Sequence, residues 1–214
     1  MDLFTYYRST SSYRVRIVLA LKGLEANAIP VNLIRDGGEH RKPDYLAINP
    51  QGRVPALRLD GGEVIIQSMA IIEYLEEHSP TPALLPVDLL ERACHREVAA
   101  VIGCDIHPLH NVAVINRLRG LGLGLGLGED DVTAWIGHWI TEGLATVEAL
   151  IGDEGFCFGD VGLADVYLLP QLYAARRFNV DLSAFARICR VETLALQHPA
   201  FRNAHPDAQP DRPE

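Results

Sequence analysis

A run of hydroxyl side chains near the start of the chain, Arg8-Ser9-Thr10-Ser11-Ser12, lies between a predicted strand and a predicted helix. The strand is expected over residues 2–6 and the helix over 13–22, before a helix-ending glycine. A strand-to-helix turn exposes backbone N–H groups and the positive end of the helix dipole, so it attracts an anion. Because this turn offers hydroxyl donors and no cysteine, it suits a thiolate that a ligand brings to the protein.

Two further patches would lie beside this turn in a thioredoxin-like domain. Arg53-Val54-Pro55 opens the third predicted strand, where a cis proline would turn the backbone of Val54 outward to pair with an extended peptide. Gln67-Ser68 places an amide beside a serine predicted to cap a helix, a favourable position for a carboxylate. Together the three patches offer a thiol site, a peptide-backbone site and a carboxylate site.

The elements that must position these residues alternate between strand and helix over residues 1–78. The patterns predict strands at 2–6, 28–33, 54–59 and 63–66, and helices at 13–22, 43–47 and 68–78. Asp60-Gly61-Gly62 is a typical hairpin turn between the last two strands. The order βαβαββα predicts an α/β thioredoxin-like N-terminal domain.

Residues 79–86 contain three prolines and are predicted to form a stiff linker. Residues 87–214 are predicted to form an all-α C-terminal domain that ends in an exposed tail. Its helices are expected at 89–116, 131–150, 163–178 and 184–196. The Gly-Leu repeat at 120–128 is expected to be a flexible connection, because glycine at every second position is costly in a helix.

The chain has 214 residues and a formal net charge of −9. This charge makes nucleic acid and acidic membranes poor partners, so an anionic substrate needs a local basic cluster. The chain begins Met-Asp without a basic-then-apolar leader, and it has no run of about 18 apolar residues, so we expect no signal peptide and no membrane span. Four cysteines without a CxxC pair predict a reducing cytoplasm as the compartment.

The segment Ser9-Thr10-Ser11-Ser12-Tyr13-Arg14-Val15-Arg16 resembles the zeta class of the glutathione transferases, whose hallmark is Ser-Ser-Cys-x-Trp-Arg-Val-Arg. The zeta class comprises the maleylacetoacetate and maleylpyruvate isomerases. Other zeta-like segments at 32–38, 49–51, 71–77, 103–108 and 177–182 extend the resemblance over nearly the whole chain. The chain departs from the pattern at Ser11, where the hallmark has cysteine. It also has Val112 and Ala113 where the bacterial maleylpyruvate branch has arginines.

The resemblance implies the glutathione transferase fold and glutathione as an unconsumed cofactor. Its thiolate would add to the cis double bond of an enol-diacid, the bond would rotate, and elimination would leave the trans product. We expect Ser9 to be the principal hydrogen-bond donor to the thiolate, with Thr10 and Ser11 assisting. Tyr6 and Tyr7 are alternatives, since other transferase classes activate the thiol with a tyrosine. The remaining predicted cofactor-binding residues are His40, Val54, Pro55, Gln67, Ser68, His107, His110 and Asn111.

Arginines are expected to hold the carboxylates of the substrate, because a guanidinium pairs with a carboxylate through two bonds. Arg8 precedes the hydroxyl run, and Arg177, with Arg176 beside it, matches the arginine of the family that binds the substrate carboxylate. Arg14 and Arg16 are expected to be solvated or at an interface. Cys104, His107 and His110 have metal-ligand spacing, but Pro108 disturbs the helix between them, so no metal is predicted.

The sequence therefore predicts a homodimeric, cytoplasmic isomerase of a small anionic diacid from aromatic catabolism, with maleylacetoacetate preferred over maleylpyruvate. Two other functions remain open. A conjugating transferase would use the same thiolate on electrophilic or halogenated substrates and would consume glutathione. A non-catalytic binding module of the same fold would not turn over a substrate.

Overall fold

The computed structural model describes residues 1–125 and 128–213, and for residues 122–125 it describes the backbone but not the side chains. These residues form two compact units. The first unit contains Met1–Leu84 together with the chain from Leu196 onward, and the second contains Leu85–Ala195. The division at Leu84 falls inside the predicted linker, but the last residues belong to the first unit rather than to the helical one.

The first unit is built on a four-stranded mixed sheet in the order β2-β1-β3-β4. Strand β1 pairs in parallel with β2 and antiparallel with β3, and β3 pairs antiparallel with β4. The predicted βαβαββα order and the thioredoxin-like class are therefore confirmed. The strands are β1 Asp2–Thr5, β2 Asn27–Pro30, β3 Ala56–Arg58 and β4 Val64–Ile66, and the helices between and after them are α1 Thr10–Lys22, α2 Pro43–Ile48 and α3 Ser68–His78.

The strand register brings the three predicted patches to one edge of this sheet. Ala56 of β3 pairs with Phe4 of β1 on one side and with Ile66 of β4 on the other. The carboxyl ends of β1 and β4 therefore lie beside the amino end of β3. The chain leaves the sheet at this edge into residues 6–9 and 67–68, and it enters the sheet there from residues 54–55.

More than half of residues 203–213, the described part of the predicted exposed tail, are exposed, whereas Ala204 and Pro206 are buried. The start of this tail is overlapped by α9, Pro199–Ala204, which packs on α1, and Phe201 is fully buried. The hydroxyl of Tyr13 on α1 donates to the carbonyl oxygen of Phe201 at 3.3 Å.

The second unit is all-helical in its described part, as predicted, although helix 89–116 is not continuous α-helix. A π-helical turn, Val101–Ile106, and a 3-10 turn, His107–His110, interrupt it, and Pro108 cannot donate a helical hydrogen bond. The Gly-Leu repeat is helical as far as Leu125, contrary to prediction, and residues 126 and 127 lie outside the description. The helices are α4 Leu89–Ala100, α5 Val112–Leu125, α6 Glu129–Leu150, α7 Leu163–Arg177 and α8 Ala186–Gln197.

Close packing against α6 accommodates the π-helical turn. Gly143 of α6 faces Ile106, and a Cβ atom at Gly143 would overlap the side chain of Ile106. Ile106 is fully buried, as is Ile102 one turn earlier. The missing side chain at position 143 therefore lets the two segments approach each other closely.

The helical stretch Leu89–Leu121 is long and apolar enough, by length and composition only, to cross a membrane. Core helices of globular proteins can have the same length and composition. This stretch is interrupted by the two turns at 101–110, and its residues Val98, Ile102 and Ile106 are fully buried within the second unit. About a third of its most apolar part is buried, and we interpret that buried face as part of the core of this unit.

Candidate active site

Ser9 is the N-cap residue of α1, and its hydroxyl oxygen accepts a hydrogen bond from the backbone N–H of Ser12 at 3.2 Å. Its own N–H donates to the carbonyl oxygen of Tyr6 at 2.9 Å, which closes a tight turn. A serine hydroxyl has one proton to donate in addition to the lone pairs that accept. The cap therefore orients the Ser9 oxygen and leaves its proton for a ligand.

The neighbouring hydroxyls differ in exposure. Thr10 is buried, Ser11 is half-buried, and both lie in the first turn of α1 beside Ser9. Ser12 is fully buried, and its hydroxyl has no hydrogen-bond partner within the described part of the chain. The first turn of α1 contains no acidic residue, so no negative side chain there opposes the attraction of the helix N-terminus for an anion.

The two alternative tyrosines have different surroundings. Tyr6 is buried in the core with Phe4, Val54 and Ala56, and burial raises the pKa of its phenol. Tyr7 is half-buried, and its ring lies edge-on to that of Tyr6. Tyr6 is therefore a residue of the core, and Tyr7 lines the turn at the edge of that core.

Val54 offers the backbone groups that a peptide ligand needs. It precedes Pro55 through a cis peptide bond and is 7% exposed. Among residues 1–125 and 128–213, neither its N–H nor its C=O has a hydrogen-bond partner. Buried backbone groups are normally paired, so an extended peptide is a fitting partner for this pair.

The third patch was predicted with Ser68 as the cap of α3, and this detail is wrong. Gln67 occupies the cap position with a φ of 74°, and Ser68 is the first helical residue. The chain turns sharply after β4 at Gln67, whose side-chain amide donates to Gln51 Oε1 at 2.7 Å. Ser68 is buried at the helix N-terminus, where its hydroxyl and the first N–H groups can hold a carboxylate.

His40 lies in a short 3-10 turn, Glu39–Arg41, and is buried. Burial, with a smaller contribution from the charge of Arg41, lowers the pKa of its imidazole. Its Nδ1 atom is buried without a hydrogen-bond partner in the described structure. A neutral imidazole with an unused ring nitrogen fits its predicted role at the ligand.

Arg8 is half-buried beside the Ser9 turn, and its guanidinium carbon lies 5.9 Å from the centre of the Tyr7 ring. No carboxylate within the described ranges pairs with it. Its charge is therefore available to an anion. The net charge of −9 makes such a local cation important.

In the helical unit, the His107–His110 turn is held by α6 and α7. Trp135 of α6 donates from its indole nitrogen to the carbonyl oxygen of Leu109 at 2.8 Å. His110 is buried, and its Nε2 lies 3.2 Å from the Oε1 of Gln171 on α7. His107 is half-buried, with its ring centre 5.4 Å from that of His110.

Gln171 was not predicted to take part in the site. It is fully buried, and its Nε2 atom has no partner within the described residues. A polar residue in the middle of the apolar run Leu163–Ala175 was the signal that could have identified it. Its position beside His110 places it with the predicted histidines.

Asn111 uses its side chain locally. Its Nδ2 donates to the carbonyl oxygen of Pro108 at 2.8 Å, and its Oδ1 accepts from the N–H groups of Ala113 and Val114, both at 3.0 Å. These bonds cap the start of α5. A role of Asn111 in cofactor binding therefore stays a prediction.

The two arginines at the end of α7 differ in their contacts. Arg176 forms an ion pair with Glu192, with nitrogen–oxygen distances of 2.6 and 3.3 Å. Arg177 is exposed, and its guanidinium carbon lies 4.5 Å from the centre of the Phe178 ring. Phe178 also contacts the ring of His110, with 6.1 Å between ring centres, so Arg177 belongs to the same cluster as the histidines.

Two predictions about other arginines and about metals can be compared with the structure. Arg14 and Arg16 were expected to be solvated or at an interface, but they are only 2% and 8% exposed, so this prediction is wrong. Arg16 is buried because backbone carbonyl groups of the fold satisfy its donors. In the part of the chain that the structure describes, no group of three or more His, Cys, Asp or Glu side chains could hold a metal.

Comparison with known proteins relates these residues to a family. The family model of the glutathione S-transferase N-terminal domain matches residues 8–78. Maleylacetoacetate isomerase of Pseudomonas aeruginosa is 67% identical, over 100% of this chain and 99% of that protein. A bacterial maleylpyruvate isomerase of the zeta class has a TM-score of 0.93 at 44% identity, with 100% of both chains covered.

A further solved structure has ligands bound. It is maleylacetoacetate isomerase from Methylobacterium extorquens AM1 with malonate and glutathione, and it has a TM-score of 0.91 at 36% identity over 100% of both chains. Similarity at this level over the full length establishes the family and the predicted fold. The chain belongs to the zeta class of the glutathione S-transferases, the family of the maleylacetoacetate and maleylpyruvate isomerases.

Proposed function

We propose that this protein is a glutathione-dependent cis–trans isomerase of maleylacetoacetate, in which the Ser9 hydroxyl stabilises the reacting thiolate. The observation that supports this most directly is the Ser9 cap, whose oxygen accepts from Ser12 N–H at 3.2 Å and whose proton is left to donate. The 67% identity to a maleylacetoacetate isomerase over the whole chain favours this substrate.

The residues of the first unit fit glutathione, which is a small peptide with a thiol and two carboxylates. The N–H and C=O of Val54, which have no partner among the described residues, suit its backbone, and the N-terminus of α3 at Ser68 suits its α-carboxylate. His40 is the candidate for its glycine end. When bound, glutathione supplies the thiolate that adds to the cis double bond, permits rotation and is eliminated again.

The energy that Ser9 must supply is modest. A free thiol has a pKa of about 8.5, and lowering it to about 7 needs roughly 2 kcal/mol. A hydroxyl hydrogen bond contributes about 1 kcal/mol, and the helix N-terminus adds about 0.3–1 kcal/mol. The Ser9 hydroxyl and the dipole of α1 together come close to this requirement, with Thr10 and Ser11 beside them.

Arg8 is our candidate ligand for a carboxylate of the substrate, and Arg177 stays a separate predicted candidate for the same task. Arg8 has no ion-pair partner in the described structure, whereas Arg176 is held by Glu192. Bidentate pairing with a carboxylate is the task to which a guanidinium is best suited. The small diacid bound in a related isomerase, malonate, supports an anionic substrate of this kind.

Maleylpyruvate is the second candidate substrate, because a maleylpyruvate isomerase has a TM-score of 0.93 with this chain. The purified protein should be given each cis-diacid with and without reduced glutathione, while the trans product and the free thiol are measured. A glutathione-dependent rate that is higher on maleylacetoacetate, with free thiol unchanged, is the expected result. Loss of free thiol during turnover would instead indicate a conjugating transferase, and absence of conversion would refute the isomerase.

We also propose that the protein is a homodimer in a reducing cytoplasm. Val87, Leu89 and Leu90 at the start of α4 are 96%, 82% and 73% exposed, an apolar group of the kind that a partner covers. All four cysteines are free thiols, which suits a reducing compartment. A molar mass in solution equal to that of one chain would refute the dimer.

A further inference from the structure

The turn that contains Ser9 is fastened by the opposite end of the chain. The N–H of Tyr7 donates to the Oδ2 of Asp211 at 2.8 Å, although 204 positions separate these residues in the sequence. Both belong to the first compact unit. A charged acceptor binds a backbone N–H more strongly than a neutral one, so this bond restrains the turn.

Arg16 fastens the same peptide from its other side. Its guanidinium donates to the carbonyl oxygens of Tyr7 at 2.9 Å and of Tyr6 at 3.4 Å. Its Nε donates to the carbonyl oxygen of Ala204 in α9 at 3.0 Å. Because the donors of a guanidinium lie in one plane, this single side chain ties the turn to the C-terminal segment.

These contacts extend to Ser9 itself. The N–H of Ser9 donates to the carbonyl oxygen of Tyr6 at 2.9 Å, and that carbonyl is also an acceptor for Arg16. A movement of the Tyr6–Tyr7 peptide would therefore displace Ser9 relative to the start of α1. The position of the Ser9 oxygen thus depends on groups that do not contact a ligand.

We propose that the C-terminal segment from Pro199 to Asp211 is a clamp on the catalytic turn, with Asp211 and Arg16 as positioning residues for the Ser9 hydroxyl. Their action on Ser9 runs through the Tyr6–Tyr7 peptide. The clamp itself follows from the contacts of the unliganded chain. Its consequence for the thiolate rests on the proposed function of Ser9.

The clamp is tested on the full-length protein without glutathione, by amide hydrogen exchange of Tyr7 and Ser9. Asp211→Ala should speed this exchange about tenfold, because it removes a charged acceptor. Asp211→Asn, which keeps an acceptor oxygen, should restore much of the protection. Asp44→Ala is the matched control, because Asp44 is an exposed carboxylate of the same unit that lies outside the clamp, and exchange of Tyr7 and Ser9 should stay as in wild type. Unchanged exchange in Asp211→Ala would overturn the clamp, whatever glutathione does.

The consequence for Ser9 is tested with glutathione bound. The thiol pKa, followed by the ultraviolet absorbance of the thiolate, should be about 0.7 higher in Asp211→Ala than in Asp211→Asn, which loses the same negative charge but keeps an acceptor oxygen; this difference is the equivalent of one hydroxyl hydrogen bond. The affinity for S-methylglutathione, which has no thiolate, should stay within about twofold of wild type. Faster exchange in Asp211→Ala with the same thiol pKa in the two variants would overturn the positioning role. If the wild-type protein does not bind glutathione, the proposed function fails while the exchange experiment still decides the clamp.

Discussion

The turn before α1 and the turn before α5 each cap a helix with a polar side chain, yet they leave different chemistry available. The Ser9 oxygen accepts one bond, from Ser12, and the hydroxyl keeps its proton for a ligand. The Asn111 amide accepts two local bonds and donates a third, to Pro108. A hydroxyl can therefore cap a helix and still donate a hydrogen bond to a reacting group, whereas the Asn111 amide uses its hydrogen bonds within its own turn.

The two turns also differ in what supports them. Asp211 and Arg16 hold the Ser9 turn by backbone bonds from distant parts of the first unit. In the second unit, the His107–His110 turn depends on an indole donor from α6 and on the packing of the preceding π-helical turn against Gly143. Polar bonds from a carboxylate and a guanidinium therefore place the first turn, whereas the second is placed by an indole hydrogen bond together with close packing of the preceding turn.

Ser9→Ala should have the largest effect, because it removes the donor to the thiolate while keeping the backbone. We expect the isomerase rate to fall about 100-fold, as with other single donors to a reacting anion. Ser9→Thr keeps a hydroxyl and should retain most of the activity. If Ser9→Ala is nearly as active as wild type, the Ser9 hydroxyl does not act on the thiolate. The two turns would then not differ in the chemistry they offer.

Gly143→Ala should destabilise the second unit, because the new Cβ would overlap Ile106. We expect the free energy of unfolding, measured in urea, to fall by about 2 kcal/mol. Gly137→Ala on the same helix is the matched control, since a Cβ there meets no atom within 4 Å. That control should raise the free energy of unfolding by about 0.5–1 kcal/mol. Equal effects of the two variants would contradict the packing argument.

Arg177→Ala should raise KM for the cis-diacid about tenfold, because a bond between charged groups is lost. Arg176→Ala should change KM less than about twofold, since Arg176 is paired with Glu192 on the surface. Steady-state kinetics of the two variants provide the measurement. The opposite ranking would exchange the roles of the two arginines.

Asn111→Ala should lower the free energy of unfolding by about 1 kcal/mol through the loss of a helix cap. Its affinity for glutathione, measured by calorimetry, should stay within about twofold of wild type. Asn111→Ser keeps a capping oxygen and should restore the stability. A large loss of glutathione affinity in either variant would make Asn111 a ligand of the cofactor, as the sequence first suggested.

Mild acid should weaken the fold slightly through His95, whose Nδ1 accepts the N–H of Ala164 at 3.4 Å and whose pKa burial lowers. The unfolded state binds a proton near the ordinary pKa of about 6.5, and the folded state does so only at lower pH. The contribution of His95 to the free energy of unfolding is therefore complete above about pH 6.5. It is lost as the pH falls from there toward the lower pKa of His95 in the folded state. We expect a loss of a few tenths of a kcal/mol between pH 7 and pH 6, measured by unfolding in urea. If His95→Gln leaves this loss unchanged, His95 is not its source.

Local patterns were enough to predict most of the first unit. Alternating residues and the Asp60-Gly61-Gly62 turn each act within a few positions, so the order βαβαββα could be predicted, although α1 begins at Thr10 after the Ser9 cap and not at residue 13. The cap of α3 could not, because Gln67 has a φ of 74°, a conformation that a glutamine side chain does not signal.

The burial and the roles of several polar side chains could not be predicted from the sequence. Arginine is usually a surface residue, but Arg16 is only 8% exposed. Its guanidinium donates hydrogen bonds to the carbonyl oxygens of residues 6, 7 and 204. Gln171 and Asp211 likewise acquire their roles from partners far away in the sequence. Such roles depend on which distant groups the fold brings together.

The amino-acid sequence by itself determined the fold class, the family and the hydroxyl at the start of α1, because these follow from residue order over short spans. Only the tertiary structure decided that the C-terminal segment folds back on α1 and that Asp211 and Arg16 hold the Ser9 turn. The physical reason is that a hydrogen bond forms wherever a donor and an acceptor meet, and no local pattern records a meeting across 204 positions.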